Sequence, residues 1–394
     1  MGKRISNIIT VAIIGALFLA LTLCCWLKAP GDYSESERRA LAAKPELTAE
    51  SVFSGKYMKD FESYATDQYP FREDFRRLKA VTVLNILQQR DNNGLYLSQG
   101  HLSKVEYPLN ERMLEHAAER FRYLYDTYMA GKDVKLYLAV VPDKNYYLAE
   151  ENGYLSLDYD RFFASMQEKT PYMEPIALAD VLKLEDYYRT DTHWRQERLM
   201  PVVNRLAEVM GFDVEAGAES ESGTETGQEK EQQKYAADQL PPSYRLQTLD
   251  HPFYGVYYGQ AALPVAPDEI KYVTSDLLDQ CIVTSYGTGS PKEAPLYNME
   301  KAYGKDPYEM FLSGTEPLVT IENPGAATDR ELILFRDSYG SSLAPLLAGS
   351  FAKITLVDIR YMQSNALGNY ITFEDQDVLF LYSTVLLNNS LALK

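Results

Sequence analysis

The chain opens on a charged stub and then loses charge altogether. Lys3 and Arg4 precede an uncharged run from Ile5 to Leu27, which Lys28 closes. Such a run predicts a helix, and about 20 apolar residues at 1.5 Å each span the roughly 30 Å core of a bilayer. From 29 to about 90 the pattern changes. In "ERRALAAKPEL" and then "YMKDFESYATDQYPFREDFRRLKAVTVLNILQ", apolar and aromatic positions recur at helical spacing, so a mostly helical, amphipathic region is expected. Its acidic residues Asp60, Glu62 and Asp67 read as a solvated face. Asn92-Asn93-Gly94 marks a turn. A helix is expected near 110–131, followed by the strand "VKLYLAVV", 134–141, which Pro142 ends.

The C-terminal third alternates between periods: strand 331–335, helix 341–349, strand 353–358, strand 377–382. This is the rhythm of an α/β sheet with its site at the carboxyl ends of the strands. Between these halves lies 215–232, "EAGAESESGTETGQEKEQ", with six Glu, one Lys and no side chain able to anchor a core. Burial there cannot offset the entropy of ordering, so a disordered surface insertion is expected. The aromatic, Gly-rich "YGVYYG", 254–259, resumes the folded part. The expected divisions are a cytoplasmic tail 1–4, a membrane helix 5–27, a helical membrane-proximal region 28–92 and an α/β domain 93–394 carrying the acidic insertion.

The flanks of the first helix give it a direction. Lys3 and Arg4 stand before it and Asp32, Glu35 and Glu37 after it, so the positive-inside rule places the first four residues in the cytoplasm and the rest outside. A cleaved signal peptide is the alternative, but the run is long for such a segment and no clear A-x-A site follows. Leu21-Thr22-Leu23-Cys24 makes a poor lipoprotein box, because Leu23 is bulky where a small residue is wanted. An uncleaved anchor is therefore expected.

Composition narrows the function. The formal net charge is −17, from 56 Asp+Glu against 39 Lys+Arg. No clustered basic surface is visible, which argues against nucleic-acid binding. Tyrosine is abundant, at 31 residues, and its apolar face and polar tip suit sugars and flat polar ligands. Cys24 and Cys25 fall in the apolar run and Cys281 stands apart, so neither a disulfide framework nor a cysteine-based metal site is indicated. No H-E-x-x-H spacing and no Gly-rich phosphate loop occurs, and no cofactor is called for.

One stretch changes pattern abruptly. In "ELILFRDSYGSSLAPLLAGSF", 331–351, a short apolar strand meets a polar turn and then an apolar helix. Ser338 stands at that turn. A serine there serves either as an attacking group held at a tight turn or as a helix cap, together with Ser341 as the other capping candidate. A nucleophilic serine needs a base, and the chain offers four histidines: His101, His116, His193 and His251. His116 lies mid-helix, and His101 and His251 are expected in loops without a telling acidic partner. His193 differs, because "YYRTDTHWRQE" places Asp191 two residues before it. In an extended segment these side chains share a face, so the carboxylate can take one ring nitrogen and leave the other as base. The alternative is that Asp191 or Thr192 caps the next helix while His193 packs beside Trp194. Spacing alone supports both.

"TDTHW" resembles the signature of the DHHW family and of the related alginate O-acetyltransferases of the AlgJ and AlgX type. The resemblance continues through "RRALAAKPEL", "DFESYATDQYPFREDF", "VVPDKNYYL", "YEMFLSGTEPLVTIEN", "LFRDSYGSSLAPLLAGSF", "ITLVDIRY" and "DVLFLY", in family-like order. It implies an SGNH-hydrolase-like α/β/α sandwich on an N-terminal transmembrane helix and helical stalk, with the Asp-x-His element preceding the serine. Carried over by residue, Ser338 matches the nucleophile, His193 the base and Asp191 the orienting acid. The N–H groups at the start of the following helix are then expected to face an oxyanion. Thr192 stands where the DHHW pattern commonly has a histidine, as in the alginate-type members. Ser313-Gly314-Thr315 stands where Gly-Asn is expected, which leaves the Gly314 N–H as an oxyanion donor. Lys144 and Tyr339 are candidates for substrate contact. "RDSYG" does not fit the G-x-S-x-G elbow.

The resulting expectation is a membrane-anchored, extracytoplasmic O-acyltransferase acting on a cell-surface or secreted polysaccharide through Ser338, His193 and Asp191. It requires an acetyl donor, and the resemblance points to a membrane-bound O-acyltransferase as the partner supplying it. A carbohydrate esterase using the same residues is the alternative within enzymes. A non-catalytic polysaccharide-binding or assembly protein is the alternative outside them.

Overall fold

The computed structural model describes residues 2–34, 36–214, 239–287 and 290–394. The acidic insertion expected at 215–232 lies outside the described residues. Contacts divide the chain into two compact units, 1–93 with 258–265, and 94–257 with 266–394.

The first unit begins with helix α1 (Gly2–Leu27). Its segment Arg4–Cys25 is apolar, exposed along its length, and long enough to cross a membrane. The described residues among 28–48 form no helix, contrary to the expected pattern; apart from a two-residue pairing of Tyr33–Ser34 with Arg39–Ala40 they are turns and extended chain. The reason is Asp67, which is buried and not solvated. It closes helix α2 (Lys56–Asp67) and accepts from Arg39 Nη1 at 2.8 Å, Arg39 Nη2 at 2.7 Å and Ala42 N at 2.9 Å, tying the preceding segment down as a strap. Helix α3 (Arg72–Val81) follows, with Arg72 and Arg76 paired to Glu37 and Glu73. Gly259 approaches so closely that a Cβ there would fall 1.3 Å from Ser36 O. No side chain fits at that position.

The second unit is built on an eight-stranded sheet. In chain order its strands are β1 (Lys135–Val141), β2 (Glu174–Ile176), β3 (Ile282–Ser285), β4 (Lys292–Ala294), β5 (Leu318–Glu322), β6 (Glu331–Arg336), β7 (Lys353–Val357) and β8 (Asp377–Ser383), and in space they run β4-β3-β5-β7-β6-β8-β1-β2. From β7 to β2 every pairing is parallel, and β5, β3 and β4 extend the sheet antiparallel. The strands expected at 134–141, 331–335, 353–358 and 377–382 are the parallel centre, where near-continuous apolar runs are buried on both faces.

Alternation along these strands feeds two cores. Ala139, Val141, Leu332, Leu334, Leu379 and Leu381 face helices α7 (Met200–Met210) and α8 (Tyr339–Leu347). Leu138, Val140, Ile333, Phe335, Val378 and Phe380 face the opposite core with residues of helices α4 (Glu111–Leu124) and α6 (Tyr159–Lys169). Three layers result. Helix α5 (Lys144–Asn152) starts at the carboxyl end of β1, capped by Asp143, whose carboxylate accepts from Asn145 N at 2.7 Å. His101, expected in a loop, lies on a short strand (His101–Lys104) and is buried there.

Candidate active site

Strand β6 carries the chain to Arg336 and Asp337, and Ser338 comes next, immediately before α8. The Asp337 carboxylate fixes this junction. It accepts from Tyr339 N at 3.1 Å through one oxygen and from Ser383 N, at the end of β8, at 2.8 Å through the other. Ser338 makes no side-chain cap to α8, so capping does not account for it. Its Oγ lies 2.7 Å from His193 Nε2.

His193 comes from a bent segment closed by one short pairing, Tyr187 bridging Trp194, with Tyr188 N donating to His193 O at 3.0 Å. The segment is not the extended one that the Asp-x-His spacing suggests. Asp191 instead folds back, its Oδ1 accepting from both His193 N at 3.1 Å and His193 Nδ1 at 2.6 Å. An ionised carboxylate only accepts, so the network assigns the proton to Nδ1 and leaves Nε2 to accept from the serine hydroxyl. Asp191 is 1 % exposed and its Oδ2 is filled by Val256 N at 2.8 Å. Behind it, Asp268 accepts from Arg189 N at 2.9 Å, Thr190 N at 2.8 Å and Thr190 Oγ1 at 2.6 Å, while Gly255 N donates to Thr190 Oγ1 at 2.9 Å.

Aromatic rings set the imidazole plane. Tyr308 stacks on His193 with centroids 3.8 Å apart and planes 9° apart, and Tyr339 tilts against it at 5.1 Å. Both tyrosines are anchored: Tyr308 Oη lies 2.8 Å from Ser342 Oγ, and Tyr339 Oη donates to Thr192 O at 2.6 Å. Burial pushes both phenols up, so they stay protonated donors. Trp194 is buried, its Nε1 donating to Ser342 Oγ at 2.9 Å and Tyr339 O at 3.1 Å.

The remaining candidates are placed differently from expectation. Tyr339 reaches the site, but it is buried with its hydroxyl committed inside the protein. Lys144 is 2 % exposed and spends its amine on Tyr188 O at 2.9 Å and Arg189 O at 3.3 Å, so it braces the turn carrying Asp191 and His193. Burial pushes this amine down to about 7, against the opposing pull of Asp191, Asp268 and Asp143. Gly314 N donates to Phe311 O at 3.1 Å and is not free for an oxyanion. The cause is a curl in which Leu312, Ser313 and Gly314 all have positive φ, at 53°, 60° and 81°. The N–H groups opening α8 are likewise used, by Asp337 for Tyr339 and Gly340 and by Ser338 O for Ser341. Neither expected source of oxyanion donors is open in this arrangement.

Sequence reasoning passed over Gly255, Val256, Asp268, Tyr308 and Asp337. Of these, only the glycine in "YGVYYG" carries a local signal. A Cβ on Gly255 would fall 2.3 Å from Asp191 Cβ and 2.4 Å from Thr190 O.

No protein-family model matches the chain, and no curated protein matches it in sequence. Solved structures do. A DHHW family protein from Eubacterium siraeum superposes with a TM-score of 0.56 at 20% identity, over 75% of this chain and 93% of the other. The fold resembles that of this DHHW family protein. Bacillus cereus PatB1, solved with a sulfonyl adduct, gives a TM-score of 0.52 at 18% identity over 76% of this chain and 96% of its own. The O-acetyltransferase domain of Pseudomonas putida AlgJ superposes more loosely, with a TM-score of 0.40 at 15% identity over 75% and 92%. The α/β sandwich expected from the sequence resemblance is the one observed.

Proposed function

We propose that the chain is a membrane-anchored serine O-acyltransferase that moves an acetyl group onto a polysaccharide outside the cytoplasm. The observation that carries this reading is the continuous line from Asp191 through His193 to Ser338 Oγ, with contacts of 2.6 Å and 2.7 Å. In this reading Ser338 Oγ attacks the acetyl carbonyl of a donor while His193 Nε2 takes the hydroxyl proton. The Asp191 carboxylate stabilises the imidazolium without taking its proton. Collapse of the tetrahedral intermediate breaks the bond to the donor's leaving group, which receives the proton from His193. An acceptor sugar hydroxyl then repeats the sequence in reverse: it gives its proton to His193, attacks the acetyl-serine and restores Ser338.

Polysaccharide as acceptor rests on the motif resemblance to the alginate-type enzymes, as does a membrane-bound O-acyltransferase as the acetyl source. The extracytoplasmic location rests on α1, with Lys3 and Arg4 holding the amino terminus inside. The PatB1 adduct adds a point of comparison, since sulfonylating reagents report activated nucleophiles. The test is incubation of the full chain with p-nitrophenyl acetate and a soluble oligosaccharide, followed by mass analysis of both. An acetylated oligosaccharide is expected. Acetate release without sugar acetylation would make the protein an esterase, and no acetyl-enzyme would leave a binding protein on this fold.

A further inference from the structure

Helix α3 and its N-cap carry apolar side chains that stay largely exposed, although Phe75 meets Tyr69 edge-on at 5.6 Å. Phe75 and Leu78, at i and i+3, share one face of the helix, and Phe71 stands just before it at the left-handed N-cap. Phe71, Phe75 and Leu78 are 63 %, 44 % and 60 % exposed. The opposite face is committed: Ala80 is buried, and Arg76 pairs with Glu73 and Glu37 and donates to Gly259 O at 2.6 Å. Exposed aromatic and aliphatic side chains gathered on one helix face mark an interaction surface.

The same unit indicates what covers this face. Gln68, three residues before Phe71, is bound to the segment leaving α1. Gly31 N donates to its Oε1 at 2.8 Å, its Nε2 donates to Gly31 O at 2.8 Å, and Lys28 Nζ reaches Gln68 O at 3.5 Å. A helix from Ile5 to Leu27 rises about 33 Å, close to the roughly 30 Å of a bilayer core. Leu27 and Lys28 therefore sit at the far edge of the hydrocarbon, and the turn before α3 is pinned at that level. Lys28, Phe71, Arg72 and Arg77 line one shallow groove at this exit. Its acids Asp67 and Glu73 are matched to arginines, and Asp74 also lines it. Among the described residues Lys28 and Lys79 are held by carbonyl and amide oxygens, which do not cancel their charge. Apolar side chains flanked by cations at this height suit the headgroup layer of a bilayer.

We propose that Phe71, Phe75 and Leu78 dock α3 onto the outer surface of the bilayer that α1 crosses, so that the chain is held by a spanning helix and a second, interfacial one. This rests on reading α1 as an uncleaved anchor. The test uses the full chain with Cys24, Cys25 and Cys281 changed to Ser and one environment-sensitive label, placed at F71C, F75C or L78C. K59C on α2 is the off-face control, and G15C reports insertion of α1. Each variant is reconstituted into phosphatidylcholine–phosphatidylglycerol vesicles with and without a spin-labelled lipid, the label shallow for positions 59, 71, 75 and 78 and near the acyl-chain end for G15C. Quenching at 71, 75 and 78 at least about twofold above that at 59 is expected for an interfacial face. Equal quenching at all four positions, with G15C quenched, would overturn the docking while leaving the anchor intact. Label burial at 71, 75 and 78 that depends on protein concentration and not on lipid would overturn it in favour of a second copy. An unquenched G15C would instead remove the anchor reading itself.

Discussion

Replacing Gly255 by alanine asks whether the placement of Asp191 matters as the geometry implies. A Cβ at 255 would lie 2.3 Å from Asp191 Cβ, 2.5 Å from Asp191 Cα and 2.4 Å from Thr190 O. Carbon atoms in contact prefer about 3.5 Å or more, so one backbone must retreat by about 1.2 Å. Both backbones belong to the site, because the next N–H, that of Val256, holds Asp191 Oδ2 at 2.8 Å. A displacement of about 1 Å near a reacting group costs on the order of 100-fold in rate, and overpacking costs about 1–3 kcal/mol of stability. Gly255→Ala should therefore remain folded by circular dichroism, melt earlier, and acylate Ser338 about 100-fold more slowly, measured as the nitrophenolate burst from p-nitrophenyl acetate. Val256→Ala keeps the N–H and should stay within a few-fold of wild type. A folded Gly255→Ala protein with a wild-type burst would refute the argument that this contact positions Asp191.

Other expectations follow from the same geometry. Ser338→Ala should abolish the burst, His193→Ala should slow it by a comparable factor, and Asp191→Asn should be milder, with His193→Ala adding little to Ser338→Ala; additive losses in that double variant would contradict a single unit. Lys144 is neutral more readily in the folded chain, at about 7 against the usual 10.5, so the unfolded chain binds the extra proton between these values and stability should rise as pH climbs from about 7 to about 10.5. Denaturant titrations should show that slope in wild type and not in Lys144→Met; an unchanged slope in the variant assigns it to another group. Asp67 is held down to about 2 from 3.8, chiefly by Arg39, so the stability it gives the first unit is present above about 3.8 and lost as pH falls toward 2. Asp67→Asn should raise hydrogen exchange across α2 and α3 at neutral pH, and protection equal to wild type would show that the strap holds without its carboxylate.

The sheet centre was legible because parallel strands covered on both faces are written as unbroken apolar runs, as in Glu331–Arg336 and Asp377–Ser383. The antiparallel extension was not: Ile282–Ser285 and Lys292–Ala294 are short, with mostly exposed or half-buried side chains, and carry little periodicity. Ser338 and His193 could be singled out because strand-turn-helix and Asp-x-His are local patterns. The contacts that favour the catalytic reading over capping appear only in three dimensions, where Ser338 caps nothing and Asp191 bonds the imidazole. The support around them is invisible in sequence for a simple reason. Val256 contributes a backbone N–H that any residue except proline would supply, and Tyr308 contributes a ring whose partner lies over a hundred positions away. Asp67 looked solvated because its helix is polar, and only the strap from Arg39 to Ala42 explains its burial. Gly314 failed as a donor because three successive left-handed residues turn its N–H back onto Phe311.

The central claim is that Ser338 is a nucleophile activated by His193, and covalent trapping addresses it most directly. The full chain in detergent would be treated with phenylmethanesulfonyl fluoride and followed by intact-mass analysis with peptide mapping over time. One sulfonyl group on Ser338 is predicted, absent in Ser338→Ala and strongly slowed in His193→Ala, because the hydroxyl must lose its proton to the imidazole as it attacks. A folded wild-type protein that gains no adduct, or one that is modified equally fast without His193, would contradict the account.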